Sequence, residues 1–299
     1  MIQQFLSQLN HHQTHTIAVA CAHDEDVLSA IIQAKDAGIA NAILVGKQEL
    51  IQSILKDLHS NHEFLIIDEP NNEQAVKICI DYVKQSKANM LMKGLVDTSV
   101  LLKQVVSTQD GLKASPVLAH VAVVKVPAID RMLIMSDGAM NILPSLEQKV
   151  HILNHCVEVA KALQFDPIRV GVICAVEKVN PKMQCTLDAL ELKSMNESGL
   201  IKDCVVDGPY ALDNALSIEA AKHKGMTSAH AGLSNVLLLP NIESGNVLYK
   251  AVTYLAQGET AGVIMGASVP IVVTSRSDSD KNKLNSIALA ALIAQNNTI

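Results

Sequence analysis

Apolar residues in this chain fall into two alternating styles. Short β-branched runs at residues 16–21, 42–45, 64–67 and 90–92 read as strands buried on both faces. Between them lie longer segments with apolar residues at helical spacing. Residues 24–37 place Val27, Ile31, Ile32 and Ala34 on one side, residues 48–58 form a second such segment, and residues 73–85 align Ala75, Val76, Ile78, Cys79 and Val83. This βαβα order predicts a parallel sheet covered by helices, with right-handed crossovers and ligands at the carboxyl ends of the strands.

The middle of the chain departs from that rhythm. Two apolar runs, 117–126 and 132–135, are separated only by Pro127-Ala128-Ile129-Asp130-Arg131, which predicts consecutive strands compatible with an antiparallel pair. Ser145-Leu-Glu-Gln148 is a capping box and predicts a helix running to about residue 163. Alternation then resumes with strands at 168–175, 204–206 and 235–239 and helices at 181–198, 212–223 and 244–256. A last strand, 269–274, precedes a helix at 279–294. No linker rich in Ser or Gly marks a boundary. The change of style near residues 136–144 predicts a domain crossing there, with the terminal strand and helix crossing back. The expectation is two α/β domains, residues 1–138 plus 272–299 and residues 139–271, with a shared cleft.

Composition narrows the possibilities. At 49% hydrophobic and 18% charged, the 299 residues are too apolar for a disordered chain. The net charge of −6, the 2% aromatic content and the lack of Trp leave neither a basic stripe nor stacking platforms, so nucleic acid is not an expected partner. The apolar runs fall short of the roughly 20 residues that span a bilayer. Residues 1–15, rich in Gln, Asn and His, lack the charged and apolar regions of a signal peptide. A cytoplasmic protein without membrane contact is expected. The six cysteines form no C-x-x-C and sit mostly inside apolar runs, as reduced buried thiols do. Only three arginines, Arg131, Arg169 and Arg276, stand among the 24 basic residues. An arginine kept in such a chain is a candidate for a bidentate anion contact.

Common cofactor motifs are missing. There is no P-loop, and Gly258, Gly262 and Gly266 are spaced four apart and fail G-x-G-x-x-G. Asp278-x-Asp280-x-Asn282 fails as a calcium loop because Lys283 and Leu289 stand where Gly and Glu are needed. No H-E-x-x-H occurs, and His11, His12 and His15 read as a soluble tail, so no metal is expected.

Four polar junctions follow strands. Lys93-Gly94-Leu95-Val96-Asp97-Thr98-Ser99 leads into an apolar helix, with Lys103 one turn on. Backbone N–H groups, two hydroxyls and the helix dipole would hold an anion there, although an ordinary N-cap looks the same. Ser136-Asp137-Gly138-Ala139-Met140-Asn141 offers a carboxylate among small residues, with Arg131 before the same strand, or else a plain turn. Asn241 and Glu243 in Pro240-Asn241-Ile242-Glu243-Ser244-Gly245-Asn246 either reach a cleft or cap a helix. Thr274-Ser275-Arg276-Ser277-Asp278-Ser279-Asp280 pairs a guanidinium fork with hydroxyls and carboxylates, or forms a solvated capping loop. Together they point to an α/β enzyme that handles an anionic small molecule.

These segments, in this order, with Gly208-Pro209, Tyr249-Lys250 and Asn282-Lys283-Leu284, resemble the phosphate acetyltransferase/phosphate butyryltransferase family. The likeness runs from about residue 90 to the C-terminus, and its wording at Lys93–Thr98 and after Arg276 is closer to the butyryl branch. The resemblance implies the reaction acyl-CoA + phosphate = acyl phosphate + CoA, on butyryl or branched short-chain substrates, by direct transfer in a ternary complex. The runner-up within the family is acetyl-CoA as substrate. It also implies an isocitrate/isopropylmalate dehydrogenase-like fold with the site in the cleft, coenzyme A as substrate with no tightly bound cofactor or metal, and a homodimer or higher homo-oligomer.

By resemblance, Ser275 donates to the oxyanion and Arg276 holds phosphate or the carbonyl oxygen. The family's catalytic Asp lies six residues past that Arg, where this chain has Asn282, which cannot act as a base. Asp280 is the nearest replacement, with Asp278 behind it. Thr98 and Ser99 match the hydroxyl cluster, and Lys103 stands where acetyltransferases carry Arg. Asp137, Asn241 and Arg131 complete the expected substrate-binding set. Two other classes compete. A dehydrogenase relative would need NAD, a divalent metal, an arginine cluster and metal-binding aspartates, which this sequence lacks. A non-catalytic CoA-binding relative would bind without turnover.

Overall fold

The computed structural model describes residues 1–10, 13–274 and 279–297. In chain order the elements begin with α1 (Ile2–Gln8), β1 (Thr16–Ala20), α2 (Glu25–Asp36), β2 (Asn41–Gly46), α3 (Gln48–Asp57) and β3 (Leu65–Asp68). Next come α4 (Asn72–Lys84), β4 (Met90–Lys93), α5 (Thr98–Val105), β5 (Ala119–Lys125), β6 (Leu133–Ser136) and α6 (Leu146–Ala162). Then follow β7 (Arg169–Ile173), α7 (Gln184–Glu197), β8 (Val205–Tyr210), α8 (Leu212–Leu216), α9 (Ile218–His223) and β9 (Val236–Leu238). The chain closes with α10 (Ile242–Tyr254), β10 (Glu259–Met265), β11 (Ile271–Val272) and α11 (Asp280–Asn296).

Two compact units emerge, Met1–Leu118 with Thr260–Ile299, and Ala119–Glu259. Both are α/β units, as the alternation of patterns predicts. The crossings lie at 118/119 and 259/260, where the sequence placed them at 138/139 and 271/272. Local pairing explains the first difference: β5 runs antiparallel to β6 (Val123↔Ile134), so residues 119–125 go with the strand that follows them. The second follows from α11. Its Asn282 Oδ1 accepts from the Thr260 backbone N–H at 3.1 Å, and its Ser286 Oγ accepts from the Gly262 N–H at 3.0 Å. These side chains hold β10 to the terminal helix.

In the first unit the strands are ordered β3-β2-β1-β4-β11-β10. The first five run parallel, with Ala18 opposite Ile43 and Leu91, and Val272 opposite Met92; β10 is antiparallel to β11. Strands β1, β2 and β4 are almost wholly buried, which accounts for their unbroken apolar runs. The chain moves outward from β1 to β2 and β3, then returns to β4 on the other side of β1. That reversal makes the carboxyl ends of β1 and β4 a topological switch point. In the second unit the order is β5-β6-β9-β7-β8, with β6, β9, β7 and β8 parallel.

Several expectations need correcting. The N-terminal stretch is not a free tail: α1 buries Phe5 and packs on α11, and Gln295 Oε1 accepts from the Asn10 N–H at 2.7 Å. His15 is buried, with Nδ1 3.1 Å from Asn89 Nδ2. The strand β10 was not anticipated, because its central Gly262 interrupts the β-branched pattern. The helix expected at 212–223 is two helices. Ser217 adopts an extended conformation between them and accepts from the Ala220 N–H to cap the second. The capping box at Ser145 and Gln148 forms as expected, with both reciprocal bonds present. Among the described residues no helix is long and apolar enough to cross a membrane.

Candidate active site

At the switch point the first unit's backbone is drawn tight. The Gly94 N–H donates to the Ala20 carbonyl and the Leu95 N–H to the Cys21 carbonyl, both at 2.8 Å. A Cβ on Gly94 would lie 2.3 Å from the Cys21 carbonyl oxygen, so only glycine lets the β4–α5 loop press against the β1–α2 loop. Lys93 curls over that loop, donating to the Gly94 and Val96 carbonyls at 3.2 and 3.1 Å. Helix α5 starts at Thr98 as predicted. Its N-cap residue, Asp97, makes no side-chain cap bond; its carbonyl takes the Val100 N–H at 3.0 Å, and the Thr98 and Ser99 N–H groups are left for another acceptor. Among the described residues neither the half-buried Thr98 hydroxyl nor the exposed Ser99 hydroxyl has a hydrogen-bond partner. Ser99 and Lys103 line a hollow of about 450 Å³ between α4 and α5, together with Lys77 and Gln104. Thr98 thus opens α5 as the sequence predicts, and Ser99 and Lys103 share one hollow.

Strand β11 ends beside β4, and Thr274 is its last described neighbour in sequence. Ser275, Arg276 and Asp278 lie outside the described residues. The chain is described again from Ser279, whose side chain caps α11 by accepting from the Asn282 N–H at 3.3 Å. Asp280 follows on an exposed first turn, 4.0 Å from Lys283 Nζ. Lys283 is 3% exposed and forms its main ion pair with Asp26 Oδ2 at 2.9 Å. Asn282 is buried, and its Oδ1 is occupied by the Thr260 N–H. It therefore fixes α11 to β10 from the position where the family's catalytic Asp is expected.

Three expected binding residues in the second unit have structural duties. Arg131 Nε donates to the Ser234 carbonyl at 3.2 Å, and Nη2 to the Gly232 and Leu216 carbonyls at 3.1 and 3.3 Å. Those carbonyls surround the α8–α9 break, and Arg131 satisfies the one that the interruption frees. Arg131 Nε and Nη2 are thus engaged with backbone carbonyls, where the sequence reads a phosphate contact. Asp137 is buried and accepts from the Ala139, Met140 and Asn141 N–H groups at 2.8, 3.0 and 3.3 Å, and from Asn141 Nδ2 at 2.6 Å. That carboxylate braces its own turn. Asn241 caps α10, its Oδ1 accepting from Ser244 N and Oγ at 2.9 and 2.8 Å.

The cysteines fit inert thiols. All six are free, and burial pushes Cys21 up to about 11 and Cys156 up to about 12. Among the described residues no cluster of three or more His, Cys, Asp and Glu could hold a metal. Sequence inspection missed two buried charge clusters in the second unit. Lys149 pairs with Asp188 at 2.5 Å. Asp207 accepts from Lys193 at 2.8 Å and from the Tyr210 and Ser228 hydroxyls. Burial opposes its charge, but these donors outweigh that and hold the carboxyl below the usual range. Partners 39 residues apart, as in Lys149 and Asp188, leave no local pattern to find.

The family model "Phosphate acetyl/butaryl transferase" matches residues 63–291. The phosphate butyryltransferase of Clostridium acetobutylicum is 46% identical over 300 residues, covering 99% of this chain and 100% of that protein. The phosphate acetyltransferase of Thermotoga maritima is 41% identical over 278 residues, covering 93% of this chain and 95% of that protein. A branched-chain phosphotransacylase structure from Enterococcus faecalis superposes with a TM-score of 0.81 at 28% identity, over 94% of this chain and 99% of that one. With most of its length matched by the family model and near-complete coverage of these relatives, this chain belongs to the phosphate acetyltransferase/phosphate butyryltransferase family.

Proposed function

We propose that the chain catalyses acyl transfer between coenzyme A and inorganic phosphate, acyl-CoA + phosphate = acyl phosphate + CoA, with butyryl or branched short-chain substrates preferred to acetyl. A phosphate oxygen adds to the thioester carbonyl carbon, the C–S bond breaks, and the CoA thiolate leaves and takes up a proton. Thr98, Ser99 and Lys103 hold the phosphate at the start of α5. Arg276 binds phosphate or the developing oxyanion with help from Ser275, and Asp280 is the proton-transferring carboxylate. Neither a tightly bound cofactor nor a metal is part of the reaction as proposed.

The observation that carries this is the end-to-end match to the Clostridium acetobutylicum enzyme at 46% identity. Acetyl-CoA is the second substrate to weigh, because the Thermotoga maritima acetyltransferase is only slightly less similar at 41%. A profile of phosphate-dependent rate over acetyl-, propionyl-, butyryl- and isobutyryl-CoA decides between them. The expected maximum in kcat/KM lies at four carbons, and a maximum at acetyl-CoA would assign the chain to the other branch.

The proposed setting is the cytoplasm and the proposed assembly a homodimer. Ile142 (70%), Leu143 (76%), Val247 (68%) and Leu255 (82%) stand exposed in the second unit, an apolar surface that self-association would cover. Light scattering on the purified chain should give twice the 32.1 kDa chain mass, and a monomer at working concentration would contradict it.

A further inference from the structure

His23 occupies the loop between β1 and α2, at the switch point of the first unit. It is 9% exposed and follows Cys21, whose carbonyl receives the Leu95 N–H from the β4–α5 loop. Its ring is held from one side. Nδ1 accepts a long hydrogen bond of 3.4 Å from the Lys47 backbone N–H. The same nitrogen lies 2.7 Å from where a Cβ on Gly46 would stand. A side chain at position 46 would displace the imidazole, so Gly46 provides the slot in which the ring lies. Burial, with Lys47 beside it, lowers the affinity of this ring for a proton, and Asp24 opposes the shift only as the smallest contribution. The imidazole is therefore neutral at neutral pH. With Nδ1 accepting, the ring proton sits on Nε2. Nε2 makes no hydrogen bond with any other described residue.

The ring is thus fixed through Nδ1, and its Nε2–H, without a partner among the described residues, is an oriented donor open to an acceptor. The carboxyl edge of β1 and β4 is where an α/β sheet places its ligand. We propose that His23 Nε2–H donates to a phosphoryl oxygen of the substrate, making His23 a binding residue of the acyl-transfer site. This rests on the acyltransferase function proposed above. A neutral donor suits the task, since it binds an anion without being titrated away across the working pH range. The phosphoryl oxygen can belong to inorganic phosphate or to coenzyme A itself.

Two amide variants separate ligand binding from loop support. His23→Asn keeps an acceptor near Nδ1 for the Lys47 N–H but has nothing at the Nε2 position. His23→Gln reaches the Nε2 position with an N–H donor. Wild-type phosphate-dependent turnover of butyryl-CoA is measured first, so that failure of the function is seen separately from failure of this inference. For His23→Asn the expected result is a KM about tenfold higher for one substrate, the size of one lost hydrogen bond to a charged group, with kcat less affected and thermal unfolding unchanged. His23→Gln should retain most of the wild-type KM. A rise in KM for phosphate identifies free phosphate as the partner, and a rise in KM for butyryl-CoA identifies the phosphates of CoA. A second readout needs no variant and no turnover. In the ¹⁵N-histidine-labelled protein, saturating inorganic phosphate, or CoA, should shift the His23 Nε2–H resonance. The inference is overturned if His23→Asn behaves as wild type while His23→Gln is impaired, or if neither ligand shifts that resonance.

Discussion

Replacing Arg276 by alanine is expected to lower kcat for phosphate-dependent butyryl-CoA cleavage about 10²–10³-fold, the usual loss when a donor to developing negative charge is removed. The other two of the chain's three arginines are placed elsewhere. Arg131 spends its Nε and Nη2 on the carbonyls of Ser234, Gly232 and Leu216. Arg169 is the first residue of β7 and so sits at the amino end of its strand, away from the edge where α/β sheets bind ligands. Of the three, Arg276 alone follows the carboxyl end of a strand, β11, which lies beside β4. Arg276→Lys keeps the charge but loses the planar fork, and should recover only part of the rate. A near-normal rate for Arg276→Ala would remove it from the site.

Lys149→Met should be the most destabilising single change in the second unit. Lys149 and Asp188 are paired at 2.5 Å with side-chain exposures of 5% and 6%. Removing the cation leaves Asp188 buried with only the Gln184 amide, at 2.8 Å, to answer it. Breaking a buried pair from one side costs about 3–5 kcal/mol, which corresponds to a fall of roughly 6–20 °C in the midpoint of the unit's thermal transition. The double variant Lys149→Met with Asp188→Leu should recover much of the loss, because no unpaired charge remains. Calorimetry resolves both, and an unchanged midpoint in the single variant would show that water reaches Asp188.

The α/β architecture was legible because parallel strands buried on both faces must be apolar throughout, as β1, β2 and β4 are. Ser145 and Gln148 announced α6 through a local reciprocal bond. What escaped were features decided by distant partners. Phe5 becomes core only because α11, almost the whole chain away, covers it. The break at Ser217 depends on Arg131 taking up a freed carbonyl. At the site, Gly94, Thr98, Ser99 and Lys103 were readable as a glycine loop before a helix start. Asp137, Asn241 and Asn282 carry the right chemistry for a ligand, but their acceptor atoms are taken by neighbouring N–H groups. No pattern in sequence distinguishes a carboxamide that caps from one that binds. His23 was overlooked for the opposite reason: a single histidine before an N-cap gives no hint that Gly46 and Lys47 hold its ring.

In the proposed reaction phosphate, and not water, receives the acyl group. The most direct test follows free CoA thiol and acyl phosphate together, with butyryl-CoA as donor. Thiol release should depend on added phosphate and be matched one for one by butyryl phosphate. Thiol release without phosphate, or no release from any short-chain acyl-CoA with phosphate present, would contradict it.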